Sequence, residues 1–266
     1  LNTLCQNIYS FIIGAFYNLS SLGFYTQADK WSKMGSASIS QILTSSFVPL
    51  LSKVQDDGET FRRYVTKINR FTAFVLFPVM GGIAVLGAPL FHTLFGHKWD
   101  AAIILFQILT VRGIFVVLTS LYSNYLLALG YGRRLFALEV AKDLLILAAI
   151  LSTVWFGSVP LLVWGQLAAS VVTYVVSLLI LRRAAGFSVR AMVRDLLPSM
   201  AIAGVSCLVV AVALYTAGLS GWLSLLSANM AGLIQLGGGL LLGIGSYLLL
   251  CRLAHLPELR EAVRML

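Results

Sequence analysis

Apolar stretches long enough to cross a bilayer alternate with short polar connections along the whole chain. A helix needs roughly 20 mostly apolar residues to span the hydrocarbon. On that scale the pattern predicts spans at 1–17, 35–52, 71–93, 101–129, 135–156, 159–181, 197–217 and 228–251. The fold class it implies is all-α, a polytopic membrane bundle of about eight transmembrane helices.

The second span is barely hydrophobic. Its run from Gly35 through Ser36, Ser38, Ser40, Gln41, Thr44, Ser45 and Ser46 to Phe47-Val48-Pro49 is mostly small and hydroxylic. Ser38, Gln41 and Ser45 recur at i, i+3 and i+7, one face of a helix. Lipid is the wrong neighbour for such a face. Either it packs on another helix, since small and hydroxyl residues allow close approach, or it lines a water-filled cavity. Asn2, Gln6 and Tyr9 repeat the pattern in the first span, which favours a shared cavity. Pro49 and Pro78 fall inside or near the ends of spans, where a missing hydrogen bond kinks a helix; proline is also simply common in membrane helices.

Charge then gives orientation. Lys53, Arg62, Arg63, Lys67 and Arg70 follow the second span, and Arg133 and Arg134 the fourth. Arg182, Arg183, Arg190 and Arg194 follow the sixth, and Arg252, Arg260 and Arg264 the eighth. The other connections hold only Lys30, Lys33 and Lys98. Basic connections stay cytoplasmic, so the expected location is the inner membrane, with the C-terminus and the start of the first span both cytoplasmic. The net charge of +9 therefore belongs to a membrane face, with anionic lipid headgroups as its partners and no nucleic acid. Charged residues are 11% of the chain and hydrophobic ones 59%, far from a soluble domain.

Few residues carry candidate chemistry. Arg112 lies eleven residues into the fourth span, about 16 Å along the helix, where a charge costs at least about 2.5–3.5 kcal/mol. Thr119 and Ser123 continue its stripe. Arg112 either lines a cavity or pairs with a carboxylate on a neighbouring helix. Glu139, Lys142 and Asp143 share a face near the cytoplasmic end of the fifth span. An intrahelical ion pair with Lys142 snorkelling to the interface is favoured there over substrate contact. Asp29, Lys30, Trp31 and Lys33 read as an outer interfacial anchor, as does Trp99 between Lys98 and Asp100. Residues 56–70 predict an amphipathic surface helix running into the third span, and 187–196 a separate interfacial helix. Cys5, Cys207 and Cys251 with His92, His97 and His255 show no metal-ligand spacing, so neither a metal nor another cofactor is expected. The chain opens on Leu1 inside a span, with no basic n-region and no cleavage site. It is expected to be the C-terminal part of a longer membrane protein.

Several short motifs fall in a familiar order. Leu22-Gly23-Phe24-Tyr25 and Ala28 precede the serine-rich span; Phe47-Val48-Pro49, Leu51-Ser52 and Gln55-Asp56-Asp57 follow. Phe77-Pro78 with Gly81 and Gly82, Pro89-Leu90, Leu94-Phe95-Gly96 with Trp99, and Leu127-Ala128-Leu129-Gly130 complete the set. Over about residues 1–145 the chain resembles the polysaccharide flippases (lipopolysaccharide, O-antigen and colanic-acid type) of the multidrug/oligosaccharidyl-lipid/polysaccharide exporter superfamily. The resemblance implies fourteen helices in two six-helix lobes plus a final pair. Residues 1–184 would be the second lobe, and 185–266 an interfacial helix, the final pair and a cytoplasmic tail. A missing N-terminal lobe would complete the protein.

It further implies a transporter, not an enzyme, that flips undecaprenyl-diphosphate-linked oligosaccharide by alternating access through a cationic central cavity. The candidate cavity residues are Arg112, Lys142, Gln6, Ser38, Gln41, Ser45, Thr119 and Ser123, with lipid-linked oligosaccharide as the partner. A drug or cation exporter of the same superfamily is the alternative, and would favour a buried carboxylate. A membrane-bound polysaccharide polymerase or transferase is weaker, because the outer connections are short and His92 and His97 have only Asp100 nearby.

Overall fold

The computed structural model describes the backbone of residues 2–153, 157–219, 228–256 and 258–259 and the side chains of 8–153, 157–218, 230–256 and 258–259. Its helices are α1 (Asn2–Phe16), α2 (Leu19–Ser52), α3 (Gly58–Val85), α4 (Gly87–Phe95) and α5 (Asp100–Ala128). After them come α6 (Gly132–Thr153), α7 (Val159–Ala185), α8 (Val189–Leu219) and α9 (Ala228–Leu253). A single 3-10 turn, His97–Trp99, leads into α5. No strand occurs among the described residues. The chain is a helical membrane bundle.

Local chemistry sets the helix ends. Asn18 caps α2, its side chain accepting from Ser21 N at 2.7 Å. Asp57 caps α3 through bonds from Glu59 N and Thr60 N. Gly186 ends α7 in the left-handed conformation, φ 67°, where a Cβ would be strained.

Among the described residues, five stretches are long and apolar enough to cross a membrane: Gly58–Val85, His97–Ala128, Val159–Ala185, Val189–Gly218 and Met230–Leu253. The other three expected spans fall short for different reasons. α1 has 15 residues, a rise of about 22 Å. α2 and α6 are long enough but carry too many polar groups. The third expected span, 71–93, is two helices. Pro89 has no N–H to offer the Val85 carbonyl, so the ladder of α3 stops there and α4 begins after Leu86. The second expected span starts much earlier, since α2 is one helix of 34 residues from Leu19. The expected interfacial helix 187–196 is continuous with the seventh span in α8, which runs through Pro198. The surface helix expected to run into the third span does so, as the first turns of α3.

The centre of the bundle is α5, packed against α2, α3 and α7, while α8 lies on α3 and α9 on α8 and α4. Two apolar cores share α5. One gathers Leu105, Phe106 and Leu109 with Tyr25, Phe91 and Leu162. The other gathers Val117, Leu121, Tyr122 and Tyr125 with Leu76, Met80 and Leu178. Arg112 and Gly113 fall between them. The polar region thus interrupts the core at mid-length of its most central helix.

Candidate functional site

Where the two cores part, a cavity of about 430 Å³ opens between α1, α2, α5, α6 and α7. Its α5 wall carries Arg112, Gly113, Thr119, Ser120 and Ser123. Gly113 lets the helices close around it: a Cβ there would stand 2.6 Å from Met80 Cε and 3.2 Å from Ser36 Cβ. Arg112 donates from Nε to Ser170 Oγ of α7 at 3.2 Å. Among the described residues it forms no ion pair, so the guanidinium Nη groups are free of any carboxylate.

Two other helices bring charge to the same space. On α2, Lys33 Nζ lies 2.5 Å from Asp29 Oδ2, with Ser32, Ser36 and Ser40 along the same face. On α6, Lys142 pairs with Glu139, and Asp143 lies one residue on. Three cations and three carboxylates therefore line the cavity. The expected cationic cavity is charge-balanced, because each lysine stands three or four residues from an acid on its own helix.

Asp29 and Lys33, read from the sequence as part of an outer anchor, line the cavity. They lie ten and fourteen residues into α2. Trp31 instead packs edge-on against Phe95 at 5.9 Å. Lys142 lies ten residues into α6, about 15 Å along its axis. The expected Glu139–Lys142 ion pair is present and belongs to the cavity wall.

Arg112, Lys142, Thr119 and Ser123 thus share one cavity. Ser38, Gln41 and Ser45 lie elsewhere. At 100° per residue they fall on the side of α2 roughly opposite Ser32, Ser36 and Ser40, and all three are exposed. Ser38 and Ser45 donate back to their own helix, to Met34 O and Ile42 O. Gln6, with Asn2 and Cys5, lies outside the described side chains, and Arg260 and Arg264 lie outside the described residues.

Gln166, Ser170 and Thr173 of α7 were not singled out by sequence reasoning, although i, i+4, i+7 spacing in an apolar helix is the same signal that marked α2. Gln166 Nε2 donates to the Tyr25 hydroxyl at 2.9 Å, joining α7 to α2. Five buried wall atoms have no hydrogen-bond partner among the described residues: Tyr9 OH, Asp29 Oδ1, Thr119 Oγ1, Asp143 Oδ1 and Gln166 Oε1. Unpaired polar groups at this depth are costly, so this wall is built to meet water or a polar ligand.

At the far end of α5 the linear spacing of the histidines misleads. The turn at Gly96 brings His92, His97 and Asp100 together, with one ligand-type atom from each lying within 4.8 Å of the others.

These features define a helical membrane bundle with a polar, charge-lined interior. Its fold is that of the inward-closed structure of the lipid II flippase MurJ, with a TM-score of 0.65 over 98% of this chain and 52% of that one at 17% identity. Residues 1–104 match the family described as polysaccharide biosynthesis protein. The chain is 27% identical over 176 residues to the teichuronic acid biosynthesis protein TuaB of Bacillus subtilis (strain 168), covering 66% of this chain and 36% of that protein. It is 25% identical over 150 residues to the lipopolysaccharide biosynthesis protein WzxC of Escherichia coli (strain K12), covering 56% and 30%. These matches bear out the resemblance to polysaccharide flippases read from the motifs. The aligned chain spans about a third of the length of these curated relatives.

Proposed function

We propose that this chain is one lobe and the final helix pair of a transporter that flips diphosphate-linked oligosaccharide across the bacterial inner membrane for surface-polysaccharide synthesis. The observation that carries this reading is Arg112 at mid-length of α5, without a carboxylate partner among the described residues, on a wall of unpaired polar atoms. A diphosphate cannot enter hydrocarbon unaided. An arginine holds phosphate oxygens by charge-assisted, bidentate hydrogen bonds, while hydroxyl and amide groups meet sugar. The exposed stripe Ser38, Gln41 and Ser45 is unsuited to lipid. A second lobe opposite α2 would cover it and form the central passage, which alternating access would open to each side in turn. The C-terminus is cytoplasmic in this arrangement, and no covalent chemistry is required of the chain.

The test is export by cells whose full-length protein carries Arg112→Ala. Surface polysaccharide falls at least about tenfold, as for loss of a charged hydrogen bond of about 1.5–3 kcal/mol, at unchanged membrane abundance. Normal export removes Arg112 from the mechanism. Asp143 supports a second reading, export of a cation or cationic drug, because its Oδ1 is buried without a partner among the described residues. Loss of cation efflux, with intact polysaccharide export, in Asp143→Asn would favour that reading.

A further inference from the structure

We propose that His92, His97 and Asp100 form a binding site for one divalent transition-metal ion of the zinc class, at the end of the bundle opposite the arginine-rich connections. The site is built from the turn between α4 and α5. His92 stands in the last turn of α4, and Asp100 opens α5. Gly96 between them has φ 76° and ψ 176°, a conformation that favours glycine and folds the chain back on itself. The two imidazole rings come to 4.4 Å between centroids.

The ligand atoms lie close to the spacing that a metal requires, with His92 and Asp100 hydrogen-bonded to each other. His92 Nε2 lies 2.9 Å and His97 Nδ1 3.7 Å from Asp100 Oδ1. Metal bonds of about 2.0–2.2 Å in a tetrahedron set ligand atoms about 3.3–3.6 Å apart, between the two distances observed. Two imidazoles and a carboxylate suit zinc, and three protein ligands leave a position for water. Aromatic packing holds the turn in place. Trp99 meets Phe24 at 5.6 Å and Phe95 at 5.7 Å, so the ligands sit on a framed turn. Lys98, the cation within it, is exposed. A bound ion would tie the end of α4 to the start of α5.

The test uses the full-length protein purified on a histidine-free tag and stripped of metal. Zinc is titrated by calorimetry, and cobalt(II) by its visible absorption. The double variant His92→Ala/His97→Ala binds one equivalent less than wild type, and each single variant weakens that equivalent at least about tenfold. His255→Ala, at the opposite end of the bundle, changes nothing. His97 is 76% exposed, so His97→Ala melts like wild type without metal but loses the zinc-induced rise in Tm. Equal stoichiometry in wild type and the double variant, or no zinc binding at all, overturns the site.

Discussion

Arg112 of α5 donates to Ser170 of α7 at 3.2 Å, across the cavity that separates the two apolar cores. The bond uses Nε, and among the described residues the Nη pair meets no carboxylate. Ser170 is thus a positioning residue. Ser170→Ala should weaken transport less than Arg112→Ala, and mostly by raising KM. Arg112→Lys should recover little, since an ammonium lacks the planar fork. Transport kinetics of the three variants check this; full activity in Arg112→Lys would show that charge alone suffices.

Gly113 predicts a packing effect beside the site. Its missing Cβ lies 2.6 Å from the end of Met80 and 3.2 Å from Ser36 Cβ. The Met80 tip is flexible and Ser36 Cβ is not, so Gly113→Ala should be mild. Gly113→Val should cost about 1–3 kcal/mol as overpacking, read as a lower Tm in detergent. Equal melting of both variants would mean that α2 and α5 separate freely.

Tyr125 predicts a loss from a buried hydrogen bond. Its hydroxyl donates to Asn69 Oδ1 at 3.1 Å, and both residues are fully buried. Tyr125→Phe should destabilise the bundle by about 0.6–1.7 kcal/mol, the usual scale between membrane helices. Unchanged denaturation would show that Asn69 finds another donor.

Asp57 predicts a pH effect outside the membrane. The Thr60 hydroxyl, then the Thr60 and Glu59 amides, hold its carboxyl below the ordinary value of 3.8. A depressed folded pKa stabilises above the unfolded value and is lost as pH falls through the folded one. Asp57→Asn should therefore lose less Tm than wild type between about pH 6 and about pH 3. Identical pH profiles would remove the cap from acid stability.

The bundle and the place of Arg112 at mid-length of its helix were legible in the sequence because hydrophobic length and a charge within an apolar stretch are one-dimensional signals. Asp29 and Lys33 were not, because hydropathy marks where the apolar stretch of α2 begins and not where its helix begins. The break at Leu86 was hidden for a related reason: Pro89 sits in an apolar run that continues past it. Ser38, Gln41 and Ser45 share a face as expected, but periodicity says which residues lie together and not what they face. Nor could spacing bring His92 and His97 together, since that depends on one glycine torsion.

The central claim is that a wet cavity around Arg112 carries a diphosphate-linked glycan across the bilayer. It is tested most directly by the full-length protein in proteoliposomes, where the half-time for a diphosphate-linked oligosaccharide to cross the membrane is measured. Wild type should move it, and Arg112→Ala should slow it at least about tenfold at equal protein density. Equal rates for the two proteins, or no movement above protein-free vesicles with wild type, would contradict it.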